Sequence, residues 1–139
     1  MDISNGFQIE QPNLFIPWRI TEAELLALGG DGLHHVTRGY YTAPCVSVGG
    51  LSCTIGFHFR PPLDGRLVEL EFFRRFAMPL ADSYADFQTH FESVFVPPTK
   101  TEDGSDGFPS HTWLVRGARI VHYVFDRFGP EEHMRIQKR

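Results

Sequence analysis

Two glutamates that stand two positions apart, Glu69 and Glu71, are the residues whose type and spacing most directly suggest chemistry. They alternate with apolar residues, so in a strand both carboxylates leave the same face, with Cα atoms about 6–7 Å apart. Paired carboxylates at such separations perform acid–base work in glycosidases. With His58 and His122 they form a candidate polar sheet-face site, which would bind a small molecule or catalyse a reaction. A cross-strand ion pair with Arg60 is the structural alternative.

The seven histidines do not have the spacing of a metal-binding motif. No HExxH, HxH or CxxC pattern occurs. A zinc site would need His58, His122 and Glu69 to converge from three separate elements. Walker A, GxGxxG and GxSxG motifs are also absent, although a cysteine with a histidine neighbour stays open as a nucleophile. We therefore predict no metal, no cofactor and no catalytic residue.

A surface that binds another protein is the second kind of candidate. The loop that precedes Trp113 is rich in Gly, Pro and acidic residues, and loops and aromatic side chains often carry recognition. Its candidate contact residues are Glu102, Asp103, Asp106 and Phe108. A second cluster combines Arg38 with Tyr40 and Tyr41, for which cation–π packing inside the fold is the alternative. Trp113 itself is predicted to belong to the core.

Composition restricts the classes of partner. The chain has 139 residues and a net charge of −4, so it lacks the basic surface that nucleic acid requires. No apolar run approaches the roughly 18 residues of a membrane-spanning helix, and we expect no membrane partner. The N-terminal residues show no secretory signal pattern, which predicts a cytoplasmic protein. The length predicts a single domain over residues 1–139, as a monomer or weak homodimer.

The pattern of apolar residues predicts an α+β fold. A capping box at Thr21 and Glu24 begins a short N-terminal helix over Glu22–Leu28, whose three leucines we expect to be buried. Helical spacing predicts one main amphipathic helix over Leu80–Phe95. An extended segment over Leu14–Arg19 leads into the N-terminal helix. β-rich composition or alternation of period two predicts these strands: His35–Tyr41, Pro44–Val48, Leu51–Arg60, Arg66–Arg74, His111–Arg116, Arg119–Asp126 and Glu131–Gln137. The strands should form a largely antiparallel sheet with both helices packed on it.

The two cysteines flank a predicted hairpin with a two-residue turn at Gly49-Gly50. In that register Val48 faces Leu51, and Cys45 and Cys53 lie on opposite faces of the sheet. We therefore expect two free thiols, which is consistent with a reducing compartment.

The second half of the chain has a distinctive order of features. The helix containing Ser83–Phe87 is followed by Pro98-Thr99, then Trp113, the hairpin strand Ile120–Val124 and the segment Phe128–His133. In this order it resembles the small α+β immunity proteins of bacterial polymorphic toxin systems, such as contact-dependent inhibition, Rhs and type VI effectors. The resemblance implies a cytoplasmic protein that binds and neutralises one cognate toxin.

We therefore predict a non-enzymatic protein-binding module, an immunity protein whose partner is a cognate toxin or effector. Two alternatives stay open, namely a small-molecule-binding protein or enzyme that uses the polar sheet face, and a secretion-system adaptor or chaperone. A concave pocket with convergent polar groups would favour the enzyme. A patch of exposed aromatic residues without such a pocket would favour the protein-binding module.

Overall fold

Ten strands and two α-helices make up the fold, and the computed structural model describes residues 1–139. In chain order they are β1 (Gly6–Ile9), β2 (Leu14–Pro17), α1 (Glu22–Gly29), β3 (His34–Thr37), β4 (Tyr40–Ser47), β5 (Leu51–Phe59), β6 (Leu67–Phe73), α2 (Leu80–Phe95), β7 (Lys100–Glu102), β8 (Ser110–Val115), β9 (Ala118–Asp126) and β10 (Pro130–Lys138). The predicted α+β class is confirmed. Neither helix has the length and apolar character needed to cross a membrane.

Eight strands form one antiparallel sheet in the order β3-β4-β5-β6-β10-β9-β8-β7, and β1 and β2 form a separate hairpin. Most neighbours in the sheet are consecutive in the chain. The exception is β10, the last strand, which lies between β6 and β9. The chain leaves the sheet after β6, forms α2, and returns at the far edge as β7. The junction between β6 and β10 therefore joins the two halves of the chain.

The helix α2 packs on one face of the sheet, which we call the core face; the opposite face is the outer face. The buried side of α2 presents Phe87, Phe91 and Phe95. The Phe91 ring centroid lies 5.5 Å from that of Phe72 in β6 and 6.4 Å from that of Trp113 in β8. The predicted bounds of this helix are confirmed, and Trp113 is a core residue, as expected.

The short helix α1 covers another part of the core. Its capping box is formed as predicted, because the Thr21 side chain accepts from the Glu24 backbone N–H and the Glu24 side chain bonds back. Only Leu25 is buried, whereas Leu26 and Leu28 are about half exposed. The prediction of three buried leucines is wrong because a helix of about two turns directs only a narrow side towards the core.

Several strand boundaries differ from the prediction. Arg38 and Gly39 form a turn between β3 and β4 instead of continuing one strand. The strands β1 and β7 were not predicted, because each has only three or four residues and shows little alternation, whereas β2 lies within the predicted extended segment Leu14–Arg19. In β6, Leu67 is buried and Val68 is not. The reason is a register shift where β6 begins: Phe59 of β5 pairs with Leu67, but His58 pairs with Glu69, so Val68 has no partner in β5.

The β4–β5 hairpin has a three-residue turn at residues 48–50, since Ser47 pairs with Leu51. The register is therefore one residue away from the predicted one. Cys45 pairs directly with Cys53, so the prediction that they lie on opposite faces is wrong. The cause is Val48, which adopts φ 51°, a conformation that β-branched residues rarely take and that therefore was not predicted from the two glycines.

Candidate functional site

The outer face carries the predicted glutamate pair within a connected set of polar side chains. This outer-face network consists of Tyr40, His58, Glu69, Glu71, Arg135 and Gln137. Arg135 Nη1 lies 2.6 Å from Glu69 Oε1, and its Nη2 lies 3.1 Å from Glu71 Oε2. The predicted cross-strand cation, Arg60, is not part of this network; Arg135 of β10 takes that place.

All four carboxylate oxygens of the glutamate pair have partners in the outer-face network, and its one buried polar atom without a partner is Arg135 Nε. Gln137 lies 2.9 Å from the second Glu69 oxygen, and the Tyr40 hydroxyl donates to Glu71 Oε1 at 2.8 Å. A hydrogen bond from His58 lowers the pKa of Glu71 to about 2, with Tyr40 and Arg135 acting in the same direction. Glu71 is therefore a fixed anion, and neither carboxylate is free to act as a general base.

The fourth residue of the predicted polar-face site, His122, lies on the core face instead. It is fully buried beneath α2 and stacks on Tyr84, with ring centroids 4.0 Å apart. The sequence contained a signal for this position, since His122 alternates with the buried residues Ile120 and Val124. His58 and His122 are thus on opposite faces, so the candidate site that combines them is wrong, and they do not converge on Glu69 as a zinc site would require.

A second polar set surrounds His122, and we call it the helix-side cluster: Arg74, Ser83, Gln88, His122 and Glu132. His122 Nδ1 lies 2.7 Å from Gln88 Oε1, and its Nε2 lies 2.6 Å from Glu132 Oε2. Ser83 donates to the other Glu132 oxygen, and Arg74 Nε donates to Ser83 Oγ at 2.9 Å. Burial lowers the pKa of His122, and Glu132 opposes that effect.

The helix-side cluster was not predicted as a unit, because its members come from β9, β10, α2 and the segment that follows β6. Ser83 and His122 are buried, the other three residues are partly buried, and hydrogen bonds connect all five. It therefore joins the start of α2 to the start of β10. No group of three or more His, Cys, Asp or Glu side chains is arranged to hold a metal ion.

The two predicted protein-contact segments lie far apart. Glu102 ends β7, and Asp103, Asp106 and Phe108 lie in the loop from β7 to β8. Arg38 lies in the β3–β4 turn, and Tyr40 and Tyr41 begin β4. Five strand spacings separate β4 from β8 in the sheet, or about 24 Å along it. The seven residues therefore do not form one local site.

The aromatic residues of these segments are also less available than predicted. Phe108 packs on Tyr84 with ring centroids 5.0 Å apart, and the Tyr84 hydroxyl donates to the Pro109 carbonyl. Tyr41 is buried and stacks on His35. Asp103 and Asp106 are exposed. Of the aromatic residues in the two segments, Tyr40 alone lies on the outer face, where its ring stacks on that of His58.

One end of the sheet carries large exposed apolar side chains. They lie at the end of β6, in the segment leading to α2, at the end of β9 and in the β9–β10 turn. This aromatic end consists of Phe73, Phe76, Met78, Phe125 and Phe128. Phe76 and Phe128 are the most exposed, at 78% and 87%. The antiparallel pairing of β6, β10 and β9 brings these segments to the same end.

Two arginines lie against the loop aromatics of this end. The Arg75 guanidinium carbon is 5.6 Å from the Phe76 ring centroid, and that of Arg127 is 5.2 Å from the Phe128 ring centroid. Both distances are within the range of cation–π attraction. Each arginine therefore restricts the orientation of the ring beside it.

A recess of about 250 Å³ opens beside the aromatic end, where β6 and β10 cease to pair after Phe72 and Met134. We call it the β6–β10 recess. Its walls include the aromatic rings of Tyr40 and Phe73 and the carboxylates of Glu71 and Glu131. The recess is shallow and open, and its accessible walls combine apolar surface with negative charge.

No family model matches this chain, and no curated protein matches it. Among solved structures, a DUF4309 family protein, YjgB from Bacillus subtilis subsp. subtilis str. 168, is similar with a TM-score of 0.44 and 11% sequence identity. The similar region covers 86% of this chain and 78% of that one. A likeness at this level carries no information on function.

Proposed function

We propose that this protein is a non-enzymatic binding module that docks another protein through its aromatic end. The observation that carries the proposal is the grouping of five large exposed apolar side chains on neighbouring segments of one sheet end. Contiguous exposed apolar surface on a folded protein typically marks an interaction site. Aromatic residues and arginine are enriched in the buried centres of such interfaces.

The partner that fits this end has a basic side chain within an apolar surface. The β6–β10 recess is lined by Glu71, Glu131 and Glu132 and by aromatic side chains that include Tyr40 and Phe73. Glu71 and Glu132 already pair with Arg135 and His122, so the carboxylate available to a partner is that of Glu131, whose side chain is 49% exposed. A lysine or arginine entering it would meet opposite charge and ring faces together. Phe73 and Phe125, on the strands to either side of β10, would contact the apolar surroundings of that side chain.

A protein fits this surface better than a lipid bilayer does. Membrane-surface segments combine apolar residues with an excess of basic ones. Here Asp126 precedes Arg127 in sequence, and Glu131 lies on β10 opposite Phe125. The whole chain has a net charge of −4. A rim with charges of both signs is the usual surround of a protein–protein interface.

The alternative of an enzyme on the polar sheet face has less support. The outer-face network has no unpaired carboxylate oxygen, and His122 lies on the other face. The prediction of an immunity protein stays part of the proposal: the partner would be a basic bacterial toxin, met in the cytoplasm. An adaptor role in secretion would use the same end.

The test compares three tagged proteins in quantitative capture from source-cell extract. They are the wild type, the double variant Phe76→Ser/Phe128→Ser, and the matched control Leu63→Ser. Leu63 is 75% exposed in the β5–β6 turn, at the opposite end of the sheet, so it reports nonspecific loss of apolar surface. We expect a partner that is retained by the wild type and the control but lost from the double variant.

Equal capture by all three proteins would contradict docking through the aromatic end. If the double variant alone loses a partner, that partner is purified and titrated against the wild type and against Glu131→Lys. We expect Glu131→Lys to bind it about tenfold or more weakly than the wild type does. Co-expression separates the immunity form of the proposal from the adaptor form. Only an immunity protein rescues cells from the toxicity of its partner.

A further inference from the structure

The hairpin register brings the two cysteines into direct contact. Cys45 of β4 is the cross-strand partner of Cys53 of β5, and their sulfur atoms are 3.8 Å apart. Directly opposed residues of an antiparallel pair have Cα separations of about 4.5–5.5 Å. Disulfides require Cα separations of about 4.4–6.8 Å. The backbone of the hairpin is therefore already compatible with a bond between the two sulfurs.

The surroundings of the pair leave one sulfur less tightly packed than the other. A cavity of about 60 Å³ adjoins Cys45, lined by apolar residues that include Leu14, Leu25 and Leu33. It lies beneath α1, a helix of about two turns held to the core by a single buried leucine. An element with so few buried apolar side chains opens more readily than the rest of a fold. Displacement of α1 would expose Cys45 before it exposes Cys53, which does not line the cavity.

We propose that Cys45 and Cys53 form a dithiol–disulfide site whose substrate is a small disulfide. Cys45 attacks one sulfur of the substrate, forms a mixed disulfide and releases one substrate thiol. Cys53 then attacks the Cys45 sulfur and releases the second substrate thiol. Two electrons pass from the cysteine pair to the substrate disulfide, and the two cysteine protons pass to the two thiols released.

The order of the two attacks follows from the contact between the sulfurs as well as from the cavity. The hydrogen bond with Cys53 lowers the pKa of the Cys45 thiol, while the same contact and burial raise the pKa of the Cys53 thiol. The thiolate is the attacking species in disulfide exchange. Cys45 is therefore the first nucleophile and Cys53 the resolving thiol.

The experiment uses the native full-length chain in buffers of increasing glutathione disulfide to glutathione ratio. After equilibration, the protein is acid-quenched, unfolded, alkylated with iodoacetamide and weighed by mass spectrometry. We expect an unalkylated species about 2 Da lighter than the reduced chain, increasing with the ratio and removed by dithiothreitol. Cys53→Ser should instead accumulate the glutathione adduct at Cys45, whereas Cys45→Ser should react more slowly.

Two results would overturn the proposal. One is a native protein that keeps both thiols at every ratio, and the other is a native protein that stops at glutathione adducts without an internal bond. Refolding the chain from urea in the same buffers separates geometry from access. Free thiols after refolding would show that the hairpin cannot hold the bond, whereas a disulfide formed only on refolding would show that α1 excludes the substrate from the native protein.

Discussion

Replacing Glu71 by glutamine removes the charge at the centre of the outer-face network while keeping the shape of the side chain. Glu71 is held by Tyr40, His58 and Arg135, and only 19% of its side chain is exposed. The neutral amide oxygen still accepts a hydrogen bond from Tyr40. The charge-assisted contacts to the other two partners are lost.

The size of the effect follows from the pKa of Glu71, which is 4.5 without its partners and about 2 in the folded protein. At about 1.4 kcal/mol per pH unit, this difference corresponds to roughly 3 kcal/mol of the free energy of unfolding. Because the folded pKa is the lower one, the stabilisation is fully present above pH 4.5. It is lost as the pH falls through that value towards 2.

Urea unfolding followed by far-ultraviolet circular dichroism measures this directly, at pH values from 7 down to 3. We expect Glu71→Gln to be less stable than the wild type by about 3 kcal/mol at pH 7. The difference should shrink below pH 4.5, because Glu71 of the unfolded wild type then becomes protonated while the folded protein keeps it ionised. Asp103→Asn is the matched control, since it removes the same charge from an exposed loop position.

Two outcomes would refute this reasoning. If the difference between Glu71→Gln and the wild type stayed constant with pH, the loss would come from packing and not from the charge. If Asp103→Asn destabilised the protein as much as Glu71→Gln does, net charge would explain the effect and the outer-face network would not.

Three further predictions concern other parts of the fold. Gly56→Ala should lower the free energy of unfolding by about 1–3 kcal/mol, measured in urea, because its added Cβ would lie 3.0 Å from the Tyr40 ring and 3.2 Å from Glu71 Oε1. Trp113→Phe should lower the free energy of unfolding by about 2–3 kcal/mol, because Trp113 is buried and its indole N–H donates to the Val96 carbonyl at 2.8 Å. Leu114→Ala is the exposed control. Stability should also fall as the pH drops below 6.5, because burial places the pKa of His122 below that unfolded value, so the unfolded chain binds the proton first. His122→Gln should reduce the slope of the free energy of unfolding against pH by at most about 1.4 kcal/mol per pH unit. An unchanged slope would show that His122 does not cause the loss of stability.

Local signals in the sequence predicted much of the secondary structure. The capping box of α1 and the apolar spacing of α2 depend on residues within a few positions of one another, so both helices were found. The alternation in β5 was equally local. By contrast, the position of β10 between β6 and β9 depends on pairing between residues more than 60 positions apart, such as Met134 with Phe72.

The same distinction explains which parts of the candidate site were found. The glutamate pair was found because both residues belong to one strand. Its cation, Arg135, comes from the last strand and could be assigned only once β10 was placed beside β6. The position of His122 was predictable in principle, because the apolar residues two positions before and after it mark the buried face of β9. The helix-side cluster was not predicted, because histidine is a polar residue that lies on exposed as well as on buried faces.

The edges of the sheet give a reason to regard the aromatic end as a contact surface. Exposed edge strands promote unspecific pairing between chains, and proteins limit this with short strands, charges and bulges. Here the edge strand β7 has three residues, with Lys100 3.1 Å from Glu102, and the other edge strand, β3, has an irregular register. Both edges are therefore poor templates for association. Phe76 and Phe128, by contrast, are exposed in turns where polar residues would serve equally well for folding, and this supports the proposal that they contact a partner.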